Sequence, residues 1–117
     1  MVAKSYVPDR GDIVWLDLNP TKGREQAKRR PAIVLSPKSY NKKTSLLLAC
    51  PITSVTKGYP FEVPVAHKKV EGVILADHVR SLDWRARKAE RITQASSDTV
   101  EKVSTLLQLL TGETTHN

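Results

Sequence analysis

The chain has 117 residues, of which 39% are hydrophobic and 26% charged, and its formal net charge is +7. This length suits one compact domain, and the mixed composition excludes an intrinsically disordered chain. Because no apolar run approaches the ~18 residues that cross a bilayer and no signal-peptide core is present, we expect a cytoplasmic protein without a membrane partner. We assign residues 1–112 to a single domain and residues 113–117 to a loose C-terminal tail.

Six strands are predicted in chain order from short apolar segments that turn residues separate. They cover residues 13–18, 31–35, 45–52, 61–65, 72–76 and 84–87. The second is apolar throughout, which is typical of a central strand, whereas Pro64 inside the fourth indicates an edge strand or a bulge. The single cysteine, Cys50, excludes an intrachain disulfide and is predicted to be a buried, inert thiol.

The last segment has the period of an amphipathic helix. Its apolar residues recur at spacings of three and four: Val100, Val103, Leu106, Leu107 and Leu110. Asp98 and Glu101 suit an N-terminal capping box, and Gly112 suits a C-cap. Short strands followed by one helix predict a mainly β fold with a C-terminal α-helix, in which the helix covers the open side of a small antiparallel barrel or strongly bent sheet.

The positive charge is concentrated in one part of the chain. Eight basic residues and one acidic residue lie between Lys22 and Lys43, a surplus equal to the net charge of the whole protein. Such a concentration predicts a polyanionic partner. The three histidines show no metal-ligand spacing, and the chain has no glycine-rich phosphate loop and no nucleophile elbow. We therefore predict no metal site and no cofactor.

Ordered motifs with regular spacing extend over most of the chain. They are residues 11–15 (Gly-Asp-Ile-Val-Trp), 20–26 (Pro-Thr-Lys-Gly-x-Glu-Gln), 30–36 (Arg-Pro-Ala-Ile-Val-Leu-Ser), 51–54 (Pro-Ile-Thr-Ser), 57–61 (Lys-Gly-Tyr-Pro-Phe), 75–80 and 84–87. With these motifs the chain resembles the MazF-type (MazF/PemK/Kid) toxins, or mRNA interferases, of type II toxin–antitoxin systems. The resemblance implies an SH3-like small β-barrel, a homodimer, a sequence-specific and ribosome-independent endoribonuclease activity on single-stranded RNA, and a cognate antitoxin that holds the toxin inactive.

Arg30 and Thr53 are the catalytic pair that the resemblance implies. Metal-independent cleavage by the ribose 2′-hydroxyl needs a proton acceptor, stabilisation of charge on the phosphorane and a proton for the departing 5′-oxygen, and it gives 2′,3′-cyclic phosphate and 5′-hydroxyl ends. The guanidinium of Arg30 matches two phosphate oxygens, and Pro31 holds Arg30 in an extended backbone. The hydroxyl of Thr53, at the end of a strand, can donate to the same phosphate.

The general base stays open between three candidates. Arginine is poorly suited because a neutral guanidinium is very rare at neutral pH. Glu25 matches an acidic position of the family motif, and a water molecule is the second candidate. His78 is the third, since histidine changes charge near neutral pH, although similar toxins often have glutamine here. Some of them also have Arg-x-Asp where this chain has residues 75–77, Leu-Ala-Asp.

RNA selection has to come from contacts to base edges, because phosphate contacts position a strand without distinguishing its sequence. The candidate RNA-binding residues are Asp17, Asn19, Lys22, Gln26, Lys28, Arg29, Lys57, Tyr59, Asp77 and His78. An acidic antitoxin segment would compete with RNA for the same basic surface, and salt would weaken this inhibition. Two other functions stay open: a noncatalytic nucleic-acid-binding module, and a toxin of the same fold that poisons the topoisomerase gyrase.

Overall fold

The computed structural model describes residues 6–19, 23–25 and 28–112, which form seven strands and two helices. The elements in chain order are β1 (Asp12–Asp17), β2 (Arg29–Val34), α1 (Lys38–Thr44), β3 (Leu46–Thr53), β4 (Glu62–His67), β5 (Val70–Leu75), β6 (Arg80–Asp83), β7 (Glu90–Gln94) and α2 (Ser97–Thr111). The predicted tail, residues 113–117, lies outside the described residues. Among the described residues, no helix is both long and apolar enough to span a membrane.

The strands form one curled antiparallel sheet in the order β4-β5-β3-β2-β1-β7, with β6 paired to β3 beside this path. Strand β3 changes partner along its length: Leu46–Ala49 pair with β6, whereas Ile52 and Thr53 pair with β5. This exchange lets the sheet curl into a half-barrel against α2. The predicted mainly β fold with a C-terminal helix is confirmed, as are the central position of β2 and the edge position of the strand that contains Pro64.

Both faces of the central strands are buried, because neighbouring residues of a strand point to opposite faces. One face, packed against α2, contributes a cluster that includes Ile13, Ile33, Cys50, Ile52, Val100 and Val103. The opposite face contributes a second cluster that includes Val14, Leu16, Ala32, Val34, Leu47 and Ala49. Two buried faces explain why β2 is apolar without alternation. Cys50 is buried as predicted, and burial, with a smaller effect of Asp77, raises the pKa of its thiol to about 12.

One predicted strand is a turn and one helix was not predicted, and polar side-chain contacts set the backbone in both places. Residues 84–87 form a turn, because the carboxylate of Asp83 accepts hydrogen bonds from the backbone amides of Arg85 and Ala86. Helix α1 was not predicted, since its seven residues carry no apolar stripe. Its buried Asn41 holds it in place by donating to the carbonyl oxygens of Pro8 (2.8 Å) and Ser36 (3.0 Å).

The apolar stripe of α2 is shorter than the sequence predicts. Val100 and Val103 are buried and Leu106 packs partly against the core, but Leu110 is 54% exposed, so the buried stripe ends before it. The predicted C-terminal end at Gly112 is confirmed. Burial of this stripe is what closes α2 over the curled sheet.

The N-terminus of α2 is capped by Ser96, and not by the predicted box of Asp98 and Glu101: the Ser96 hydroxyl accepts from the Thr99 amide at 3.1 Å. We expect Ser96→Ala to lower the free energy of unfolding by about 1 kcal/mol, because one helix amide loses its acceptor. Thermal unfolding followed by circular dichroism measures this as a fall in Tm of roughly 4 °C. Ser97→Ala, one residue further into the helix, is the control, and an equal loss there would contradict the assignment of the cap.

Candidate active site

Two adjacent arginines at the start of β2 belong to opposite faces of the sheet. Arg29 shares its face with Ile33, which packs in the cluster against α2, whereas Arg30 shares its face with Ala32 in the second cluster. This follows from the alternation of side chains along a strand. The sequence-adjacent cations therefore meet different surroundings. Arg30 is paired with Leu16 of β1, and the two side chains lie on the same face of the sheet.

Arg30 and Thr53 are related by the pairing of β2 with β3. The ladder runs from Val34↔Ala49 to Ala32↔Pro51, and Arg30 lies two residues before its last pair on β2 while Thr53 lies two residues after it on β3. Thr53 lies on the face of Ala49 and Pro51 by alternation. It is only 6% exposed, and its hydroxyl oxygen accepts from the amide of Val55 at 3.2 Å, which leaves the hydroxyl hydrogen for another acceptor;.

Two adjoining cavities lie at this end of β3, and we call them together the cleft. The first, of about 290 Å³, is lined by Leu18, Arg24, Glu25, Pro51, Asp77, His78, Val79 and Arg80. The second, of about 200 Å³, is lined by Arg24, Thr53, Val55, Lys57, Tyr59, Glu62, Leu75, Asp77 and His78. Three residues, Arg24, Asp77 and His78, line both cavities, so the two are parts of one surface. His78 Nε2 lies 3.9 Å from the Asp77 carboxylate.

The cleft gathers half of the titratable residues predicted for the site. Of the predicted catalytic residues, Glu25 lines the first cavity and Thr53 the second. Of the predicted RNA-binding residues, the second cavity contains Lys57, Tyr59, Asp77 and His78. A larger and more open groove of about 720 Å³ runs along α2, but none of its described lining residues was predicted for the site. We take the cleft as the candidate site because acids, cations and a hydroxyl converge there.

Four predicted RNA-binding residues take part in structural contacts away from the cleft lining. Asp17 and Arg29 form an ion pair on the face opposite Arg30. Asn19 and Lys28 close the neck of the β1–β2 loop, where the Asn19 side-chain oxygen accepts from the Lys28 amide at 3.1 Å. Lys28 takes a left-handed φ of 70°, a conformation that a tight turn at this neck requires;. The predicted residues Lys22 and Gln26 lie outside the described residues.

The sequence profile of the PemK-like, MazF-like toxins of type II toxin–antitoxin systems matches residues 9–111. The chain belongs to this family. It is 47% identical over 107 residues to the endoribonuclease toxin MazF of Escherichia coli K12, a match that covers 92% of this chain and 96% of that protein. It is 39% identical over 114 residues to the endoribonuclease toxin ChpB of the same strain, with 92% and 97% covered.

Solved structures of the family show the same fold. The crystal structure of MazF from Deinococcus radiodurans matches with a TM-score of 0.89 and 53% identity, over 93% of this chain and all of that one. A MazE–MazF structure from the same organism matches with a TM-score of 0.82 and 50% identity, over 94% of this chain and all of the matched chain. The curled sheet with its C-terminal helix is therefore the family fold.

Three charged residues of the cleft were missed by reasoning from the sequence. Arg24 belongs to the basic window, but no local signal distinguished it from its neighbours. Arg80 donates to the carbonyl oxygen of Leu18 at 3.0 Å, a contact between residues 62 positions apart. The Glu62 carboxylate accepts from the backbone amides of Lys57 and Gly58, at 3.1 Å for the Lys57 amide and 3.0 Å for the Gly58 amide. A carboxylate shortly after a Lys-Gly turn is a signal that could have identified Glu62 as the acceptor that orders this loop.

Proposed function

We propose that this endoribonuclease toxin cleaves single-stranded RNA at short sequences, independently of the ribosome, within the cytoplasm. The observation that carries the proposal is the cleft, in which Glu25 lines one cavity, Thr53 lines the other and His78 lines both. Two relatives of 47% and 39% identity are named endoribonuclease toxins. The cationic surface of a chain with net charge +7 attracts RNA through its phosphates;.

The proposed reaction divides its proton and charge requirements among different side chains. Glu25 takes the proton from the ribose 2′-hydroxyl, because an ionised carboxylate only accepts hydrogen bonds and protons. The 2′-oxygen then bonds to phosphorus, and the negative charge that develops on the phosphorane is stabilised by the guanidinium of Arg30 and the hydroxyl of Thr53. The bond from phosphorus to the 5′-oxygen breaks, and that oxygen takes a proton from His78 or water. The products carry a 2′,3′-cyclic phosphate and a 5′-hydroxyl.

Base selection is assigned to the two cavities of the cleft. The carboxylate of Asp77 accepts hydrogen bonds from base edges, and the loop at Lys57 contacts the phosphate backbone of the RNA. The exposed ring of Tyr59 provides a surface on which a base stacks;. Because Glu62 fixes the backbone of that loop, its contribution is to hold Lys57 and Tyr59 where RNA passes.

We also propose a homodimer and an acidic antitoxin as partners. The MazE–MazF structures from Deinococcus radiodurans, at 50% to 52% identity, are complexes of that toxin with MazE. Exposed apolar residues of this chain, Leu46 and Leu48 on β3 and Leu109 and Leu110 on α2, offer surfaces for protein contacts;. An acidic antitoxin segment that occupies the cleft excludes RNA, and inhibition then weakens as salt screens the charges.

Cleavage of a long single-stranded RNA in excess chelator tests the proposed function. We expect cuts at a short common sequence even when the chelator removes free metal ions, because side chains stabilise the charge of the phosphorane. The new 5′ ends should be labelled by polynucleotide kinase without prior phosphatase treatment, and the new 3′ ends should resist ligation until the cyclic phosphate is opened and the resulting phosphate removed. RNA that is bound but left intact would instead support a noncatalytic module. Intact RNA together with gyrase-dependent DNA breaks would support a topoisomerase poison.

A further inference from the structure

We propose that Arg29 is a positioning residue and not an RNA ligand: it fastens the start of β2 so that the next residue, Arg30, faces the cleft. The inference rests on the proposed function, because its catalytic consequence requires Arg30 at the reacting phosphate. Arg29 acts through an assembly that we call the latch, defined by Arg29, Asp17, Glu90 and the backbone carbonyls of Arg87 and Lys88.

The guanidinium of Arg29 meets four acceptors from three separate segments. It donates to the carboxylates of Asp17 at the end of β1 (3.2 Å) and Glu90 at the start of β7 (2.6 Å). It also donates to the carbonyl oxygens of Lys88 (2.8 Å) and Arg87 (3.5 Å) in the turn before β7. Exposed ion pairs alone stabilise little, but a planar guanidinium bound on several sides has one orientation. A lysine ammonium cannot reproduce this set of bonds.

The latch lies at the end of the β1–β2 ladder. Asp17↔Arg29 is the last pair of the β1–β2 ladder, so Arg30 is only one residue from the end of paired strand. Because successive side chains alternate, holding Arg29 on one face holds Arg30 on the other. Loss of the latch lets this end of the ladder fray, and a catalytic group displaced by about 1 Å can lose ~100-fold in rate.

A second arginine ties the same turn to the exit of β1. The guanidinium of Arg87 donates to the carbonyl oxygens of Asp17 (2.9 Å) and Asn19 (2.8 Å), and the Asp17 amide donates to the Arg87 carbonyl (3.1 Å). The Leu18 amide donates to the Lys28 carbonyl at 3.0 Å and closes the neck of the loop. The turn before β7 therefore contacts both sides of the neck, and Arg29 connects this turn to β2.

The charge of Arg29 is already balanced on its own face. Two carboxylates, those of Asp17 and Glu90, lie within ion-pair distance of its guanidinium. A phosphate would have to displace them and would meet their negative charge, which disfavours an RNA contact there. Arg24 and Lys57 instead line the cleft, where the opposite face of β2 presents Arg30.

The two roles of Arg29 predict opposite results for the variant Glu90→Gln. If Arg29 is a positioning residue, Glu90→Gln and Arg29→Gln both lower kcat on a short single-stranded RNA by about tenfold, with KM changed less than twofold, and Arg29→Lys lies between them and the wild type. If Arg29 binds phosphate, Arg29→Gln raises KM and reduces the slope of log affinity against log salt by about one. In that case Glu90→Gln frees the guanidinium and lowers KM, a result that would overturn the inference.

Hydrogen exchange of the Leu18 and Lys28 amides measures the latch without any RNA. We expect Glu90→Gln and Arg29→Lys to exchange these amides about tenfold faster than the wild type, since the neck opens more often. Unchanged exchange would overturn the inference even if activity falls. The matched controls are Asp98→Asn and Lys102→Gln, which break an exposed ion pair of 3.3 Å on α2 and should leave both amides unaffected. Failure of the proposed function would appear separately, as full activity in Arg30→Ala.

Discussion

Replacing Arg30 with alanine is expected to lower kcat for RNA cleavage at least a hundredfold and to change Tm by only a few degrees. The developing charge of the phosphorane loses its principal donor, and removal of one such donor from a preorganised site typically costs ~10²–10³ in kcat. The side chain is half-buried at the end of the β1–β2 ladder, so little core packing is lost. Initial rates on a short RNA that contains the mapped cut site, with KM determined in parallel, measure the effect.

A double variant tests whether Arg30 and Thr53 act on one phosphate. Thr53→Val removes the hydroxyl with little change of volume, and we expect the Arg30→Ala, Thr53→Val double variant to lose much less than the product of the single losses, because partners in one step are not additive. Lys42→Gln removes an equal positive charge from α1 at the other end of β3 and is the control for nonspecific RNA attraction. Activity retained in Arg30→Ala would exclude this site. Fully multiplicative losses in the double variant would show that Arg30 and Thr53 act independently.

The larger elements follow from local signals in the sequence. Residues 31–35 are apolar because both faces of β2 are buried, and residues 97–111 carry a helical stripe, so both elements could be predicted. Helix α1 could not be, since its burial depends on Asn41 and its contact with Pro8, 33 residues away. A polar residue in a short basic segment is typical of a loop, and only the tertiary hydrogen bonds make it helical.

The candidate site was predictable to the extent that its residues belong to recognisable motifs. Glu25, Thr53, Asp77 and His78 do, and the structure brings them to the cleft. Arg29 shares the same basic window, but its acceptor Glu90 is 61 residues distant, and no periodicity connects the two. Composition predicts that positive charge is present; which cations are already neutralised depends on long-range packing.

Gly72→Ala is expected to be the most destabilising small substitution near the site. Gly72 has a φ of +153°, and a Cβ added to it would lie 2.3 Å from the carbonyl oxygen of Thr53 and 3.0 Å from its carbonyl carbon. Both contacts are with backbone, which cannot rotate away, so β5 and β3 must separate where Val73 pairs with Thr53. We expect a loss of ~2–3 kcal/mol in the free energy of unfolding, seen as a fall in Tm of roughly 8–15 °C.

The same displacement should also slow catalysis, because the atom that the new methyl group contacts belongs to Thr53. We expect kcat at 25 °C to fall about tenfold in the folded Gly72→Ala protein, with KM less affected. Gly58→Ala is the stability control: its φ of +80° imposes backbone strain, but nothing lies within 4 Å of the added Cβ, so the steric part of the loss should be missing. Equal Tm losses in the two variants would attribute the effect to φ alone. A destabilised but fully active Gly72→Ala would show that catalysis tolerates movement of Thr53, and that the hydroxyl does not contact the reacting phosphate.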